Sequence, residues 1–160
     1  MAMKTADTHI NTNFNNAKLL LVEPQTDQWK MMEGALRQYL PQVTTQRVAN
    51  VEQAKLLLNS WRGQEWQLPK LILLNLYLPQ NTDGWELLRT IKAMPGAFIR
   101  IPVLVYGPIG KQSDVTLSYE IGAATYLPQP NDLVSWQDFC NALRIYWWET
   151  VSLPPLHFDL

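Results

Sequence analysis

The stretch LILLNLYLP at residues 71–79 decides the fold of this chain. Its first four positions are all apolar, which is typical of a parallel strand that is covered on both faces. Asn75 follows them and places one polar side chain where this strand ends. Open α/β sheets bind ligands and carry reactive groups beyond the carboxyl ends of their strands. The stretch therefore predicts a buried central strand whose tip carries a carboxamide rather than a carboxylate.

Strand-like and helix-like segments alternate on both sides of this stretch. Apolar or β-branched runs occupy residues 18–23, 43–48, 101–106 and 124–127, and helical periodicity occupies residues 25–39, 51–58, 85–93, 111–121 and 133–146. Strict alternation of five strands with five helices requires a parallel sheet with right-handed crossovers and helices on both faces. The pattern also predicts helix ends: Asn50 and Asp132 as N-terminal caps and Gly122 as a C-terminal stop.

Composition and charge limit the functions open to the chain. Its 160 residues are 47% apolar, which is enough for one globular domain with a substantial core. The 13 basic and 14 acidic residues nearly cancel, so neither a nucleic acid nor another polyanion is indicated as a partner. No apolar run is long enough to cross a bilayer. The lone Cys140 excludes an internal disulfide and favours a reducing compartment such as the cytoplasm.

The chain is expected to divide into three parts. Residues 1–16 are rich in Asn and Thr and lack the apolar core of a secretory signal, so we expect a disordered leader there. Residues 17–150 form the globular domain, and residues 151–160 form a C-terminal tail. His9 and His157 lie near opposite ends of the sequence. Together with Cys140 they are too few and too dispersed for a metal site.

Five motifs resemble the receiver domain of bacterial two-component response regulators. They are LLLVE at 19–23, LILLNLYLP at 71–79, DGWELL at 83–88, RIPVLV at 100–105 and IGAATYLPQP at 121–130. The last is similar to the family's G-A-x-x-Y-L-x-K-P. YWWETVSLPP at 146–155 is similar to the C-termini of small standalone receivers, including those paired with phytochrome-type histidine kinases. The resemblance covers about residues 18–155 and implies a flavodoxin-like (βα)5 three-layer sandwich with strand order 2-1-3-4-5.

The resemblance also implies which positions would carry phosphoryl chemistry. The family's acidic pair, which helps to hold Mg²⁺, falls on Glu23 and Pro24, and its phosphoacceptor aspartate falls on Asn75. The hydroxyl residue that contacts the phosphoryl oxygens falls on Gly107, and the lysine falls on Gln129. Each required group is weakened or absent. We therefore expect a non-enzymatic pseudo-receiver that has no cofactor, binds Mg²⁺ weakly if at all and signals without aspartyl phosphorylation.

Two alternative functions can be compared with the same sequence. A receiver can be phosphorylated on a neighbouring carboxylate, and Glu23 and Asp83 are the candidates. The place of Asp83 before Gly84 and a helix favours an N-cap role for it instead. A flavodoxin-like cofactor binder needs a loop rich in Gly, Ser or Thr after the first strand, and residues 24–27 (PQTD) offer none.

The resemblance places a switch residue and a contact surface near the C-terminus. Tyr126 occupies the family's aromatic switch position, where the ring moves inward or outward on activation. The candidate contact residues on the last helix are Ile145, Trp147 and Trp148. Ile145 and Trp148 fall partly outside the apolar stripe that docks this helix on the sheet, and Tyr146 or Trp147 ends that stripe. The alternative is that the tail, residues 151–160, folds back over Trp148. We expect a homodimer through the last helix and its neighbours, with a histidine kinase or another receiver as a further partner. Tyr106 is expected to fill the space that a phosphoryl group would need.

Overall fold

A computed structural model describes residues 2–78 and 81–156, with the backbone alone at residues 2–7 and 81. Its strands are β1 (Lys18–Val22), β2 (Thr44–Val48), β3 (Leu71–Asn75), β4 (Val103–Gly107) and β5 (Thr125–Pro128). All four pairings between neighbouring strands are parallel, and the order is β2-β1-β3-β4-β5. This confirms the flavodoxin-like arrangement, which places the carboxyl ends of all the strands along one edge.

The strands are flanked by α2 (Thr26–Tyr39), α3 (Val51–Ser60), α4 (Asn81–Ala93), α5 (Gln112–Ile121) and α6 (Leu133–Leu143), with a helix α1 (Ala2–Phe14) before β1. Short 3₁₀ turns occupy Glu65–Gln67 and Gly96–Arg100. The Asn50 side chain accepts a hydrogen bond from the Gln53 N–H, and Asp132 accepts one from the Ser135 N–H. Gly122 ends α5 with a φ of 124°. These three predicted helix ends are confirmed.

Two apolar layers cover the sheet. α2 and α6 pack on one face, where Met32, Trp136 and Cys140 are buried, while α3 and α4 supply Ala54, Leu58 and Ile91 to the other. Every residue of β3 and β4 is buried, whereas β2, at the edge of the sheet, alternates between exposed and partly buried positions up to the buried Val48. Burial also raises the pKa of the Cys140 thiol to about 12, so this cysteine acts as a small core residue. The described residues include no helix that is long and apolar enough to span a membrane.

The N-terminal segment corrects one prediction. Disorder was expected over residues 1–16, but α1 runs through residues 2–14. Asn13 is 2% exposed, and its amide nitrogen donates to the carbonyl oxygens of Trp148 (2.8 Å) and Val151 (2.7 Å). Its side-chain oxygen accepts from the Leu153 N–H at 3.0 Å. These contacts with the distant end of the chain stabilise a helix that its Asn- and Thr-rich sequence does not favour by itself.

The last helix differs from its predicted course at one point. α6 continues into a π-helical turn over Arg144–Thr150, which adds a residue to the helical period. The α-helical stripe of Trp136, Cys140 and Leu143 would next place Trp147 inward, but Trp148 is the residue that is fully buried. Beyond this turn the segment to residue 156 packs on the molecule, and Arg100 Nε donates to the Pro155 carbonyl at 3.0 Å. Residues 157–160, including His157, lie outside the described residues.

Candidate functional site

Four strand ends bring the predicted site residues to one edge of the sheet. Asn75 ends β3 and pairs in register with Tyr106 of β4, while Gly107 ends β4 and pairs with Pro128 of β5. The Gln129 N–H donates to the Gly107 carbonyl at 2.8 Å. Glu23 follows β1 directly, and its N–H donates to the Val48 carbonyl of β2 at 3.0 Å, which extends the strand ladder.

A buried hydrogen-bond cluster joins Glu23, Asn75 and Tyr106, which we call the Glu23 cluster. Glu23 is 0% exposed and Asn75 is 3% exposed. The Asn75 amide nitrogen donates to Glu23 Oε2 at 3.0 Å and lies 3.3 Å from Oε1. The Tyr106 hydroxyl donates to Oε1 at 3.1 Å, and the Gln25 N–H donates to Oε2 at 3.2 Å. Both carboxylate oxygens are therefore occupied by donors from this chain.

The aromatic shell around Tyr106 fixes the position of its hydroxyl. Its ring is fully buried, and it meets the Trp136 ring edge-on, with centroids 5.7 Å apart and planes at 88°. Phe139 makes a second edge contact with centroids 6.2 Å apart. The Tyr106 hydroxyl and the Asn75 amide thus converge on the same carboxylate, and Tyr106 does not turn away from Asn75.

Burial dominates the protonation behaviour of the Glu23 cluster. It raises the pKa of the Glu23 carboxyl, while the donors from Gln25, Asn75 and Tyr106 oppose that rise. Burial, followed by the nearby Glu23 charge, raises the pKa of the Tyr106 phenol well above its usual range. Arg47 donates through Nε to the backbone carbonyl of Glu23 at 2.9 Å, so no cation forms an ion pair with this carboxylate among the described contacts. Tyr106 therefore remains a protonated donor.

The donor set does not suit a divalent metal ion. Mg²⁺ prefers several oxygen ligands in near-ideal octahedral geometry. Glu23 is the one carboxylate of the cluster, and Pro24 has no side-chain ligand. Asn75 directs its NH₂ group at Glu23, and its amide oxygen accepts from the Tyr77 N–H at 2.9 Å. Within the described part of the chain, no three His, Cys, Asp or Glu side chains are grouped closely enough to hold a metal.

A second tyrosine, Tyr126 of β5, places its ring over the end of β4. The Tyr126 ring covers Gly107, and its hydroxyl donates to the Pro108 carbonyl at 2.9 Å. Nearby, the Tyr77 hydroxyl donates to Asp114 Oδ2 at 2.8 Å. Burial, and then the negative charge of Asp114, raises the pKa of Tyr126 to about 12. Tyr126 therefore stays protonated, and its ring lies against Gly107.

The two alternative phosphoacceptors differ in their surroundings. Glu23 lies within its hydrogen-bond cluster without solvent exposure. Asp83 is partly buried and belongs to the first turn of α4, because that helix begins at Asn81. The prediction that Asp83 caps this helix is therefore wrong, and a first-turn acid favours the helix through its dipole. Pro79 and the residue after it lie outside the described residues.

A groove of about 400 Å³ runs between α5, β5 and the last helix. Its lining combines aromatic and small side chains: Tyr119, Ala124, Thr125, Leu127, Phe139, Ala142, Leu143, Tyr146 and Trp147. Ile145 and Tyr146 are 52% and 55% exposed beside it. Trp148 was predicted to lie on this surface, but it is buried and stacks against Phe14 with ring centroids 6.3 Å apart. Trp148 is buried because the π turn directs it inward and because Phe14 of α1 packs against it.

Three features of the site were not predicted from the sequence. The Tyr77–Asp114 hydrogen bond joins residues 37 positions apart, and no local pattern indicates it. The hydrogen bond from Tyr106 to Glu23 joins residues 83 positions apart. Both residues close apolar strand segments, and this pattern does suggest that their polar groups meet. Gly107 was interpreted only as a missing hydroxyl. A glycine at the end of an apolar strand also indicates close approach by another group, and that signal was present.

Comparisons with known proteins agree with the fold. No family model matches the chain. The chain is 40% identical over 86 residues to the response regulator Rcp1 of Synechocystis sp., an alignment that covers 54% of this chain and 57% of Rcp1. The chain therefore matches a little over half the length of this curated relative.

Solved structures extend the similarity over more of the chain. The crystal structure of Mn²⁺-bound Rcp1 superposes with a TM-score of 0.74 at 29% identity, covering 87% of this chain and 99% of that one. The phosphorylated cyanobacterial phytochrome response regulator RcpA superposes with a TM-score of 0.76 at 27% identity, with the same coverage. The chain therefore has the fold of a response regulator receiver domain, and it is similar to Rcp1 and RcpA.

Proposed function

We propose that this receiver acts in two-component signalling by binding other proteins, without phosphorylation of an aspartate. The observation that carries the proposal is the bond from the Asn75 amide to the buried Glu23 carboxylate at 3.0 Å. An amide nitrogen that donates a hydrogen bond is not a nucleophile, and a carboxylate needs no metal ion when internal donors satisfy it. The site is thus built as a stable interior and not as a reaction centre.

The other strand ends support the same proposal. Gly107 has no hydroxyl, and the space above it is taken by the Tyr126 ring. Gln129 has no positive charge with which to neutralise a phosphoryl group. The Mn²⁺ ion of Rcp1 and the phosphoryl group of RcpA belong to those proteins. In this chain the Glu23 carboxylate is instead contacted by the Asn75 amide and the Tyr106 phenol.

Incubation with acetyl phosphate and Mg²⁺, followed by intact-mass measurement, tests the proposal. We expect no added phosphoryl group on the wild-type protein, while RcpA treated in parallel gains one. Asn75→Asp should also remain unlabelled, because the variant still lacks the second acid, the hydroxyl and the lysine. Labelling of the wild-type protein that is lost in Glu23→Gln or Asp83→Asn would instead support a neighbouring carboxylate as acceptor. Strong labelling of Asn75→Asp would overturn the explanation given for the site.

The groove between α5, β5 and the last helix is the proposed contact surface. It combines exposed aromatic side chains with a concave apolar floor, a composition that is enriched at interface cores. Tyr146 and Trp147 form an edge-to-face pair at its rim, with ring centroids 5.3 Å apart. We propose that a second copy of this chain binds there to form a homodimer, and that a histidine kinase or another receiver is the signalling partner.

A further inference from the structure

Two neighbouring tryptophans can fill the same place in the core at the end of the last helix. Trp148 is fully buried there, whereas Trp147 is half-buried on the wall of the groove. Without the extra residue of the π turn, the helical period would bring Trp147 to the buried place instead. Because the two side chains are identical, either register of the helix fills that place with the same volume. Core packing therefore distinguishes only weakly between the two registers.

The residues around this place also tolerate a change of register. In the regular helix each residue would take the place of the one after it, so Tyr146 would replace Trp147 in the groove. Trp148 would take the place of Glu149, whose side chain is 36% exposed, and its indole N–H could there reach water. In the observed register, Trp148 Nε1 is buried without a hydrogen-bond partner among the described residues, which costs free energy. The π turn must therefore be stabilised by contacts from elsewhere.

Asn13 of α1 supplies contacts that distinguish the two registers. Its amide nitrogen donates to the Trp148 carbonyl within the π turn and to the Val151 carbonyl beyond it. Its side-chain oxygen accepts from the Leu153 N–H in the tail. One buried side chain therefore joins the end of the helix to the segment that follows, and it fixes the number of residues between them.

The segment after the π turn is also held at its far end. Arg100 donates through Nε to the Pro155 carbonyl at 3.0 Å and through Nη2 to the Leu156 carbonyl at 3.2 Å. Leu156 itself is 6% exposed and packs in the apolar layer on the opposite face of the sheet from Trp148. With both ends of this segment fixed, the extra residue stays in the helix as long as Asn13 keeps its three hydrogen bonds.

We propose that α1 selects the register of the last helix through Asn13 and thereby determines which aromatic side chains line the groove. With these bonds in place, the helix presents Tyr146 and Trp147 to the groove and keeps Trp148 in the core. Without them, the extra residue passes into the tail, the helix becomes regular and Trp147 takes the buried place. The inference goes beyond the proposed function, because the register belongs to a single chain whether or not a second copy binds.

Hydrogen exchange of the two indole N–H groups, followed by NMR on the full chain, measures the register. In the wild type the Trp148 indole should exchange more slowly than the Trp147 indole, with Trp147→Phe and Trp148→Phe used for assignment. In Asn13→Ala the order of the two rates should reverse. Asn11→Ala, at an exposed position on the same helix, is the matched control and should keep the wild-type order. The wild-type order in Asn13→Ala would overturn the proposal.

Deletion of Ile145 provides a reference with a fixed register. It removes one residue from the π turn and leaves every contact of Asn13 and Arg100 in place, so a regular α-helix then directs Trp148 inward. In this background Asn13→Ala should leave Trp148 as the slower of the two indoles. Reversal in both backgrounds would contradict the proposal, as would failure of the deletion variant to fold.

Trp148→Ala tests the proposal even if Asn13→Ala fails to fold. It empties the buried place, and a helix that can change register should fill it with Trp147, whose indole N–H then exchanges slowly. With Ile145 deleted, the same substitution cannot be compensated in this way, and the Trp147 indole should exchange rapidly. Rapid exchange at Trp147 in the full-length Trp148→Ala protein would overturn the proposal, as would failure of that variant to fold.

Discussion

At the scale of single residues, the site illustrates how hydrogen-bond donors and the nearby charge of Arg47 stabilise a buried carboxylate. Four donor contacts from Gln25, Asn75 and Tyr106 surround Glu23, and hydrogen bonds to a charged group are worth about 1.5–3 kcal/mol each. They offset desolvation in part, since the net shift of the Glu23 pKa is still upward. The carboxylate is thus stabilised by its cluster but remains costly in its charged form.

This balance gives a pH dependence with a definite sign. The folded-state pKa of Glu23 is raised above its ordinary value of 4.5, so the folded protein holds this proton to higher pH than the unfolded chain. The contribution of Glu23 to stability is therefore fully present below pH 4.5 and falls as pH rises through the folded-state pKa. Urea unfolding of wild type and Glu23→Gln across this range should show their difference in stability declining with pH, by at most about 1.4 kcal/mol per pH unit.

Tyr106→Phe sharpens this measurement. It removes one donor to Glu23 and keeps the aromatic packing against Trp136, so the pKa of Glu23 should rise further. In the Tyr106→Phe background, the stability difference between Glu23 and Glu23→Gln should therefore continue to decline to higher pH than it does in the wild-type background. A difference in stability that grows with pH would show that the Glu23 pKa is lowered and not raised.

At the scale of secondary-structure elements, α1 and the π turn form one unit. Phe14 stacks on Trp148, and the Arg144 guanidinium lies 5.0 Å from the centroid of the Phe14 ring. The His9 ring is hydrogen-bonded with the Glu149 carbonyl at 3.0 Å. The π turn leaves backbone carbonyls available near its end, and Asn13 donates to one of them. α1 is therefore an integral layer of the molecule.

Asn13→Ala tests the importance of this unit. The substitution removes three hydrogen bonds and leaves the Trp148 carbonyl without its buried donor, so we expect a loss of about 1–3 kcal/mol in unfolding free energy. Asn11→Ala lies on the same helix at an exposed position and should stay within about 0.5 kcal/mol of the wild type. Urea unfolding followed by tryptophan fluorescence measures both. Equal costs would show that the Asn13 contacts contribute nothing specific.

The same elements show where prediction from sequence succeeds. Long apolar runs and cap residues such as Asn50 and Asp132 indicate which segments are strands and where helices begin, because these depend on local pattern and on burial by both faces. The strand order was implied by the family resemblance, and the structure confirms it. The π turn and α1 depend instead on contacts between residues that are far apart in the sequence, such as Asn13 and Trp148, which are 135 positions apart. The site was predicted as a set of strand-end positions. Its internal bonds required knowledge of side-chain direction, which the sequence does not carry.

At the scale of the whole molecule, the sheet connects two surfaces with different properties. Its carboxyl edge is closed by the Glu23 cluster and by Tyr126, whereas the side of β5 is open and lined by aromatic groups. In an open α/β fold, the edge is the usual place for ligands. Here an apolar groove lies at the side of β5, and this supports the proposed recognition of another protein.

The proposed homodimer predicts a concentration-dependent mass that one charge can abolish. Tyr146→Glu places a carboxylate on the exposed rim of the groove, so light scattering should show a monomer where the wild type is a dimer. Leu56→Glu is the matched control, because Leu56 is 73% exposed on α3 across the sheet. It should leave the dimer intact. A monomeric wild type at high concentration, or equal loss in both variants, would contradict the proposed interface.

The bonds that Asn13 makes to residues 148–153 set an order of events during synthesis. Its partners lie 135–140 residues later in the chain, and ribosomes add about 5–20 residues per second. After its own synthesis, α1 thus waits on the order of 10 s for the groups that secure it. Its contacts with the π turn therefore form among the last events of folding, and native-state hydrogen exchange should find α1 among the first elements to open.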